Sequence, residues 1–564
     1  MGIYIDKGNA AFRQSRNSEY IDKSGLIAVV NRTLFTRQKF TCVTRSRRFG
    51  KSMAAEMLAA YYDRSCDSRP LFADLQIAHD PTFEEHLNKY PVVYLDLSAF
   101  SRMLDKGNVV EIMEEKVKSD ISLVYPNVEM HDDDYLMDYL LRIHAATGDT
   151  FIFIIDEWDA ILREESLTPG PSPKERGVYT SSAEKTRVTS NHSPLLGRGA
   201  GGEAFGRGAG GEAYVNWLRS MFKDVLGMEV FAAVYMTGIL PIKKYKTQSA
   251  MNNFEEYSMV SPGSMARYFG FTKEEVRVLA DRHGMDFDEL EKWYDGYQIG
   301  PQPSMFNPNS VMTALREQWC ESYWGRTGAT DAVAGYISMN YEGLKDDILK
   351  MLAGGRCKVD PKGFKNDLSL IQSRDDVLTV LIHLGYLSYD RVKRLCFVPN
   401  IEVSYELENA IRDAKWTNII SALEKSEALL DATIDGDEEA VARALEAAHS
   451  DDTSILSYND ENSLACVISI AYYYAQNDYH VHREYATGKG FADLVMIPRK
   501  NVDRPALVIE LKKDKSAISG IDQIKERNYP QKVAEYTGDI LLVGINYDTD
   551  TKQHTCDIER WTKA

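Results

Sequence analysis

Five consecutive apolar residues, Phe151-Ile152-Phe153-Ile154-Ile155, end abruptly in two carboxylates, Asp156 and Glu157. A run that is apolar at every position cannot keep one face in water. It belongs to a strand covered on both sides, as in a parallel sheet between helices. Comparable runs occur at 39–44, 92–97 and 230–237, the last after a helical stretch at 214–226. Strands alternating with helices predict an α/β core with a parallel sheet, and ligands bind such cores at the carboxyl edge.

At that edge the chain offers phosphate chemistry. Thr44-Arg45-Ser46-Arg47-Arg48-Phe49-Gly50-Lys51-Ser52 lies between the first strand and a helix starting near Ser52. This is the context of a phosphate-binding loop, in which backbone N–H groups and a lysine meet the phosphates and a hydroxyl meets Mg²⁺. Arg48, Gly50, Lys51 and Ser52 are therefore expected to bind ATP. The first glycine of GxxxxGK(S/T) is missing, because position 45 is Arg45. Asp156 and Glu157 form the matching Walker B pair: Asp156, with Ser52, for Mg²⁺, and Glu157 to orient or deprotonate the attacking water. Thr237, before Gly238 at another strand end, is a candidate γ-phosphate sensor. The competing readings are a surface turn for GKS, a helix-dipole acid pair for Asp156-Glu157, and an ordinary turn for Thr237-Gly238.

A second constellation lies near the other end. Gly490-Phe491-Ala492-Asp493-Leu494-Val495-Met496 precedes Leu507-Val508-Ile509-Glu510-Leu511-Lys512, and a turn near 498–505 would bring the two strands side by side. Glu510 and Lys512, two apart, share a face. Asp493 and Glu510 could then hold Mg²⁺ while Lys512 activates water, the set that metal-assisted phosphodiester hydrolysis requires. A hairpin with a cross-strand salt bridge is the alternative. His480 and His482 alternate on a strand without a third ligand at zinc spacing. Trp293-Tyr294-Asp295-Gly296-Tyr297 reads either as local packing or as a stacking platform for a base.

Between these sites the composition divides the chain. Gly197–Ala204 (GRGAGGEA) recurs as Gly206–Ala213 inside a Pro-, Gly-, Ser- and Thr-rich stretch, so 166–213 is expected to be a disordered repetitive insert. Residues 1–253 then form the ATPase core. Residues 254–400 form a helical middle region, either a lid or a winged-helix unit, with a helix at 375–384 followed by a hairpin. Residues 401–450, with 12 acidic and 4 basic residues, read as an acidic helical linker, and 451–564 as the nuclease-like α/β domain. The net charge of −18 argues against non-specific coating of nucleic acid or anionic membrane, while leaving room for a local groove. Seven cysteines without a CxxC pair and no long apolar run point to reduced thiols and a cytoplasmic protein with no membrane partner.

Taken in order, Tyr20-Ile21-Asp22-Lys23, Arg47-Arg48-Phe49-Gly50-Lys51-Ser52, Ile155-Asp156-Glu157-Trp158-Asp159, Thr237-Gly238, Tyr294-Asp295-Gly296-Tyr297 with Asn307-Pro308, Pro399-Asn400-Ile401-Glu402-Val403, and Gly488-Lys489-Gly490-Phe491-Ala492-Asp493 with Glu510-Leu511-Lys512 resemble one family. It is the bacterial AAA-ATPase-like proteins fused to a C-terminal PD-(D/E)XK nuclease-like domain. The resemblance implies a P-loop parallel-sheet ATPase core, a helical middle region and a C-terminal restriction-endonuclease-like α/β domain. It places Lys51 and Ser52 at phosphate and magnesium, Asp156 and Glu157 at Walker B, and Asp493, Glu510 and Lys512 at the nuclease-like centre, with Gln523 beside them. Family loops carry arginines before FGKS and usually lack the first glycine, which accommodates Arg45; Ser46 stands where a proline is common. The expectation is an ATP- and Mg²⁺-dependent ATPase coupled to a nuclease acting on nucleic acid, DNA foremost, and compatible with a homo-oligomer whose arginine finger is unassigned. The alternatives are an ATP-driven regulatory or binding switch with a silent nuclease fold, and a decayed mobile-element product.

Overall fold

The computed structural model describes residues 2–561 apart from 105–107, 132, 168–208, 224–226, 243, 246–247, 250, 301–303, 325–329, 353, 366–367, 369–370, 415, 451–467, 469–470, 477, 487–490, 500–501, 527–532 and 534–537. Most of the repetitive stretch and Gly488-Lys489-Gly490 thus lie outside the described residues. The chain divides into two compact units, 1–269 with 365–371, and 270–364 with 372–564.

The first unit is built on a five-stranded parallel sheet. Its strands are β1 (Phe40–Thr44), β2 (Val92–Asp96), β3 (Phe151–Asp156), β4 (Phe231–Gly238) and β5 (Glu255–Tyr257), in the order β2-β3-β4-β1-β5. The uniformly apolar runs behave as their composition requires, because alternate side chains enter two different cores. Phe153 and Ile155 join Cys42, Leu95 and Met236 on one face. Ile152 and Ile154 join Val43, Tyr94 and Tyr235 on the other. Helix α1 (Lys51–Tyr62) follows β1 directly and buries Ala55, Leu58 and Tyr62 on that second face.

After β3 the chain forms α2 (Ala160–Leu167), and it re-enters as α3 (Ala209–Phe222). The expected disorder from 166 to 213 is corrected at both ends, since 166–167 and 209–213 are helical. The reason is burial. Tyr214, Trp217 and Leu218 of α3 enter the core beside Trp158 and Ile161, and a helix anchored so firmly carries its Gly-rich first turn with it. The boundary expected at 253 also moves, to 269, because β5 joins the sheet through β1.

The second unit holds the middle region and the C-terminal domain together. Helix α4 (Phe287–Tyr294) carries the aromatic motif. Further on, β6 (Cys357–Lys358), helix α5 (Arg374–Leu384), β7 (Ser388–Asp390) and β8 (Leu395–Phe397) form a three-stranded antiparallel sheet with the helix inserted between its first and second strands in chain order. Helix α6 (Ile401–Asp413) opens with Asn400 accepting from the Val403 amide at 3.1 Å, a side-chain cap on a buried first turn. Asn400 also donates to the Asp295 carbonyl at 2.7 Å. Gly296, at φ +101°, packs so closely there that an added Cβ would sit 2.1 Å from the Pro399 carbonyl oxygen. Two motifs about a hundred residues apart therefore form one contact.

The C-terminal sheet is mixed, β9 (Tyr479–Ala486), β10 (Phe491–Pro498), β11 (Ala506–Lys513), β12 (Ile540–Tyr547) and β13 (His554–Trp561) in sequential order, with only β11 and β12 parallel. The acidic segment is not a linker. Its helices, α7 (Thr417–Asp435) and α8 (Glu438–Ser450), send Leu429, Leu430, Val441 and Leu445 against Leu507, Ile509 and Val543 of this sheet. Helix α9 (Ala517–Glu526) covers the opposite face through Ile521 and Ile524. On α7 and α8 the described acidic side chains lie on the outward faces of amphipathic helices, whereas Glu402 and Glu406 of α6 are buried.

Candidate functional site

Two clusters of charged side chains sit at strand ends, one in each unit. In the first unit, Gly50 caps α1 with φ +84°. Nothing lies within 4 Å of the Cβ it lacks, so the left-handed backbone, rather than crowding, calls for glycine there. Arg48, half-buried, also adopts a positive φ of 69°. The first amides of α1 have no carbonyl one turn earlier, the arrangement by which helix N-termini can meet an anion. Arg45 takes no part in that loop surface. Its side chain is fully buried, donates from Nη1 to the carbonyls of Thr44 (2.8 Å) and Tyr257 (2.9 Å), and lies over the Phe269 ring. Burial lowers its pKa to about 10.

Lys51 is buried at the mouth of the loop, donating to the Ser46 carbonyl at 3.0 Å with its ammonium 3.7 Å from Glu157 Oε1. Asp156 and Glu157 leave the end of β3, the strand separated from β1 only by β4. Asp156 is buried and accepts from Thr237 Oγ1, with Tyr94 Oη at 3.4 Å and Ser52 also hydrogen-bonded to it. Burial raises its pKa, against those hydrogen bonds. Burial pushes Glu157 the same way, but Lys51, Arg163 and Arg47 outweigh it and hold Glu157 below the ordinary carboxylate range. Lys51 is shifted down, chiefly by burial. The structure thus brings Lys51, Ser52, Asp156, Glu157 and Thr237 together. An exposed hydroxyl, Ser52, beside a carboxylate is a donor pair suited to Mg²⁺.

The rest of the Asp-Glu-Trp-Asp motif serves β4. Trp158 donates from its amide to the Thr237 carbonyl at 2.8 Å and from its ring to the Leu240 carbonyl at 3.1 Å. It lies against Gly238, where a Cβ would come within 2.4 Å of the ring. Asp159 accepts from the amides of Ile239 (3.2 Å) and Leu240 (2.8 Å) and forms an ion pair with Arg163, whose Nε lies 3.0 Å from Oδ2. The sequence reading missed Arg163. Its signals were the four-residue spacing from Asp159 and its place on the first turns of α2.

In the second unit the β10–β11 register pairs Leu494 with Ile509, which sets Asp493 across from Glu510. Asp493 Oδ2 accepts from the Leu511 amide at 2.8 Å. Lys512 Nζ is 3.0 Å from Glu510 Oε1 and 2.7 Å from Gln523 Oε1, and Gln523 donates to Glu510. Glu510 is 2% exposed and Lys512 8%, so this is a buried ion pair. Gln523 reaches it because α9 lies almost on the sheet: a Cβ on Gly544 of β12 would be 2.1 Å from the Ala517 carbonyl. Asp493 and Glu510 supply oxygen donors of the kind Mg²⁺ takes, although among the described residues no three His, Cys, Asp or Glu side chains gather as a metal group.

His480 and His482 belong to edge strand β9 and join no such group among the described residues. His480 is pushed down to about 4 by burial and by Lys292, Arg499 and His482. Lys292 of α4 donates to the Tyr479 carbonyl at 2.6 Å. The aromatic motif is packed locally: Trp293 stacks on Tyr405, and Tyr297 on Trp324.

Residues 8–172 match the family described as "Predicted AAA-ATPase", and residues 459–556 match the "PD-(D/E)XK nuclease superfamily". A protein of Azotobacter chroococcum mcd 1, described as "Uncharacterized protein in vnfD 5'region", is 20% identical over 96% of this chain and 95% of its own length. The solved structure of Cdc6p from Pyrobaculum aerophilum aligns with 70% of this chain and 92% of its own, at 10% identity and a TM-score of 0.24. No described helix is long and apolar enough to cross a membrane. The chain accordingly carries an AAA-ATPase-like domain at its N-terminal end and a PD-(D/E)XK nuclease-superfamily domain at its C-terminal end.

Proposed function

We propose that the protein is an ATP-hydrolysing enzyme whose nucleotide state governs a metal-dependent nuclease acting on nucleic acid, DNA foremost. The observation that carries the reading is the buried pair Glu510 and Lys512 on the carboxyl half of β11, joined by half-buried Gln523 of α9 and with Asp493 opposite. Buried charges are costly, and a site that keeps them at convergent positions of otherwise apolar strands is a functional site by the same logic that locates active centres. In this reading Asp493 and Glu510 would hold Mg²⁺, whose chemistry there would be that of a Lewis acid toward the scissile phosphate and water. Lys512 orients that water and offsets charge on the phosphate.

The same reading gives the first unit its roles. Lys51, the α1 amides and Arg48 bind the ATP phosphates, Ser52 and Asp156 hold Mg²⁺, Glu157 is the catalytic base that orients water, and Thr237 acts through its bond to Asp156. A second reading keeps the ATPase and makes the nuclease fold a binding module. The internal pairing of Glu510 with Lys512 and Gln523 favours it, because the carboxylate is already occupied. Purified protein is to be incubated with Mg²⁺ or Mn²⁺ and labelled single- and double-stranded DNA and RNA, with and without ATP, beside Glu510→Ala and Lys51→Ala. Cleavage lost in Glu510→Ala and altered by Lys51→Ala supports the coupled nuclease. ATP hydrolysis without cleavage of any substrate leaves the binding switch.

A further inference from the structure

Glu157 stands at a strained place. Its φ of +52° is left-handed for a residue with a side chain, and each of its carboxylate oxygens faces a cation. Oε1 is 3.7 Å from Lys51 Nζ, and Oε2 accepts from Arg163 Nη2. The two cations differ in what else holds them. Lys51 is a point charge on a flexible stem that also donates to the Ser46 carbonyl of the phosphate loop itself. Arg163 is a planar fork fixed to a second carboxylate, Asp159, at 3.0 Å. Asp159 is fully buried and anchored in turn by the Ile239 and Leu240 amides, just beyond Thr237-Gly238. A continuous line therefore runs from the exit of β4 through Asp159 and Arg163 to the Glu157 carboxylate.

We propose that Arg163 is a positioning residue for Glu157, holding its carboxylate in place from the β4 exit when Lys51 turns to a terminal phosphate. The inference deepens the ATPase reading and rests on it. A lysine that engages phosphate gives up its share of Glu157, and the tether from Arg163 then fixes where that carboxylate lies. Misplacing such a group by about 1 Å costs on the order of 10²-fold in rate. Arg163 thus supplies, within the chain, an arginine coupled to the hydrolytic centre.

The test uses the full chain. ATP turnover and the affinity for N-methylanthraniloyl-ATP are measured for wild type, Arg163→Ala, Arg163→Lys, Glu157→Gln and the double variant Glu157→Gln/Arg163→Ala. Arg163→Ala is expected to lose kcat on the order of 10²-fold with analogue affinity unchanged, and Arg163→Lys to recover part of the loss. In the Glu157→Gln background the same change should cost little more, since it acts through Glu157. Full kcat in Arg163→Ala, an equal fall of kcat and affinity in both variants, or an undiminished loss in the Glu157→Gln background overturns the role. Absence of hydrolysis in wild type instead refutes the ATPase reading, and this role with it.

Discussion

Replacing Lys512 by Met tests whether the nuclease-like centre is a buried charge system. The methionine keeps the length and apolar stem of the side chain but removes the ammonium 3.0 Å from Glu510. With Glu510 only 2% exposed, the remaining carboxylate cannot turn to water, and Gln523 offers an amide in place of a charge. Losing one partner of a buried pair costs about 3–5 kcal/mol. At about 1.4 kcal/mol per factor of ten, amides of β11 and β12 that exchange by opening of this domain should exchange about two to four orders of magnitude faster. Hydrogen exchange followed by mass spectrometry reads this domain within a chain of several cooperative parts, where a single melting temperature would not. Adding Glu510→Gln to Lys512→Met should restore much of the loss by removing the orphaned charge. A cost below about 1 kcal/mol, the range of exposed pairs, would refute the reasoning, since it would mean that water reaches the pair.

Other expectations follow from single contacts. Gly296→Ala puts a Cβ 2.1 Å from the Pro399 carbonyl at a φ of +101° and should destabilise the second unit by more than about 3 kcal/mol, read as loss of exchange protection in α4 and α6. Gly544→Ala drives α9 off the sheet through the Ala517 carbonyl, costing about 1–3 kcal/mol and loosening Gln523 from Glu510; faster exchange confined to α9 would report it. Lys292 is brought down to about 7 by burial and by Arg499, against Glu289 and Asp478. Unfolding restores its ordinary pKa, so between about pH 7 and 10 the unfolded chain binds more protons and stability rises with pH, by up to about 1.4 kcal/mol per unit. Lys292→Met should flatten that rise in urea titrations repeated across this range, and an unchanged slope would show that Lys292 is hydrated.

The parts of this architecture that sequence discloses are those where local chemistry leaves one solution. A run such as Phe151–Ile155 can only be a strand buried on both faces, and a carboxylate pair ending it has to emerge at the sheet edge. The strands carrying Asp493 and Glu510, and the shared face of Glu510 and Lys512, are equally local facts. What stayed hidden depends on distant partners. Strand β5, three residues long, exists because Thr41, Cys42 and Val43 of β1 offer it a ladder, and no pattern within Glu255–Tyr257 announces that. Strand β13 mixes polar and apolar residues because it is an edge strand. The acidic segment 401–450 looked like a linker by its charge, whereas four buried aliphatic residues, Leu429, Leu430, Val441 and Leu445, decide its place. Arg163 escaped notice for a similar reason: its significance lies in reaching Glu157 from a helix, a relation that spacing alone does not assign.

Helices α2 and α3 pack against each other, and Tyr214 of α3 donates to the Trp158 carbonyl at 2.8 Å. The polypeptide leaves this pair at Leu167 and returns at Ala209. Residues 168–208 join two helices that pack against each other, and doubling the length of such a connection costs only about 0.6 kcal/mol in closure entropy. A change in the length of this connection therefore leaves the strand order β2-β3-β4-β1-β5 as it is. The connection also gives the experimenter an address for a fluorescent reporter a few residues beyond Arg163, on the helix that carries it.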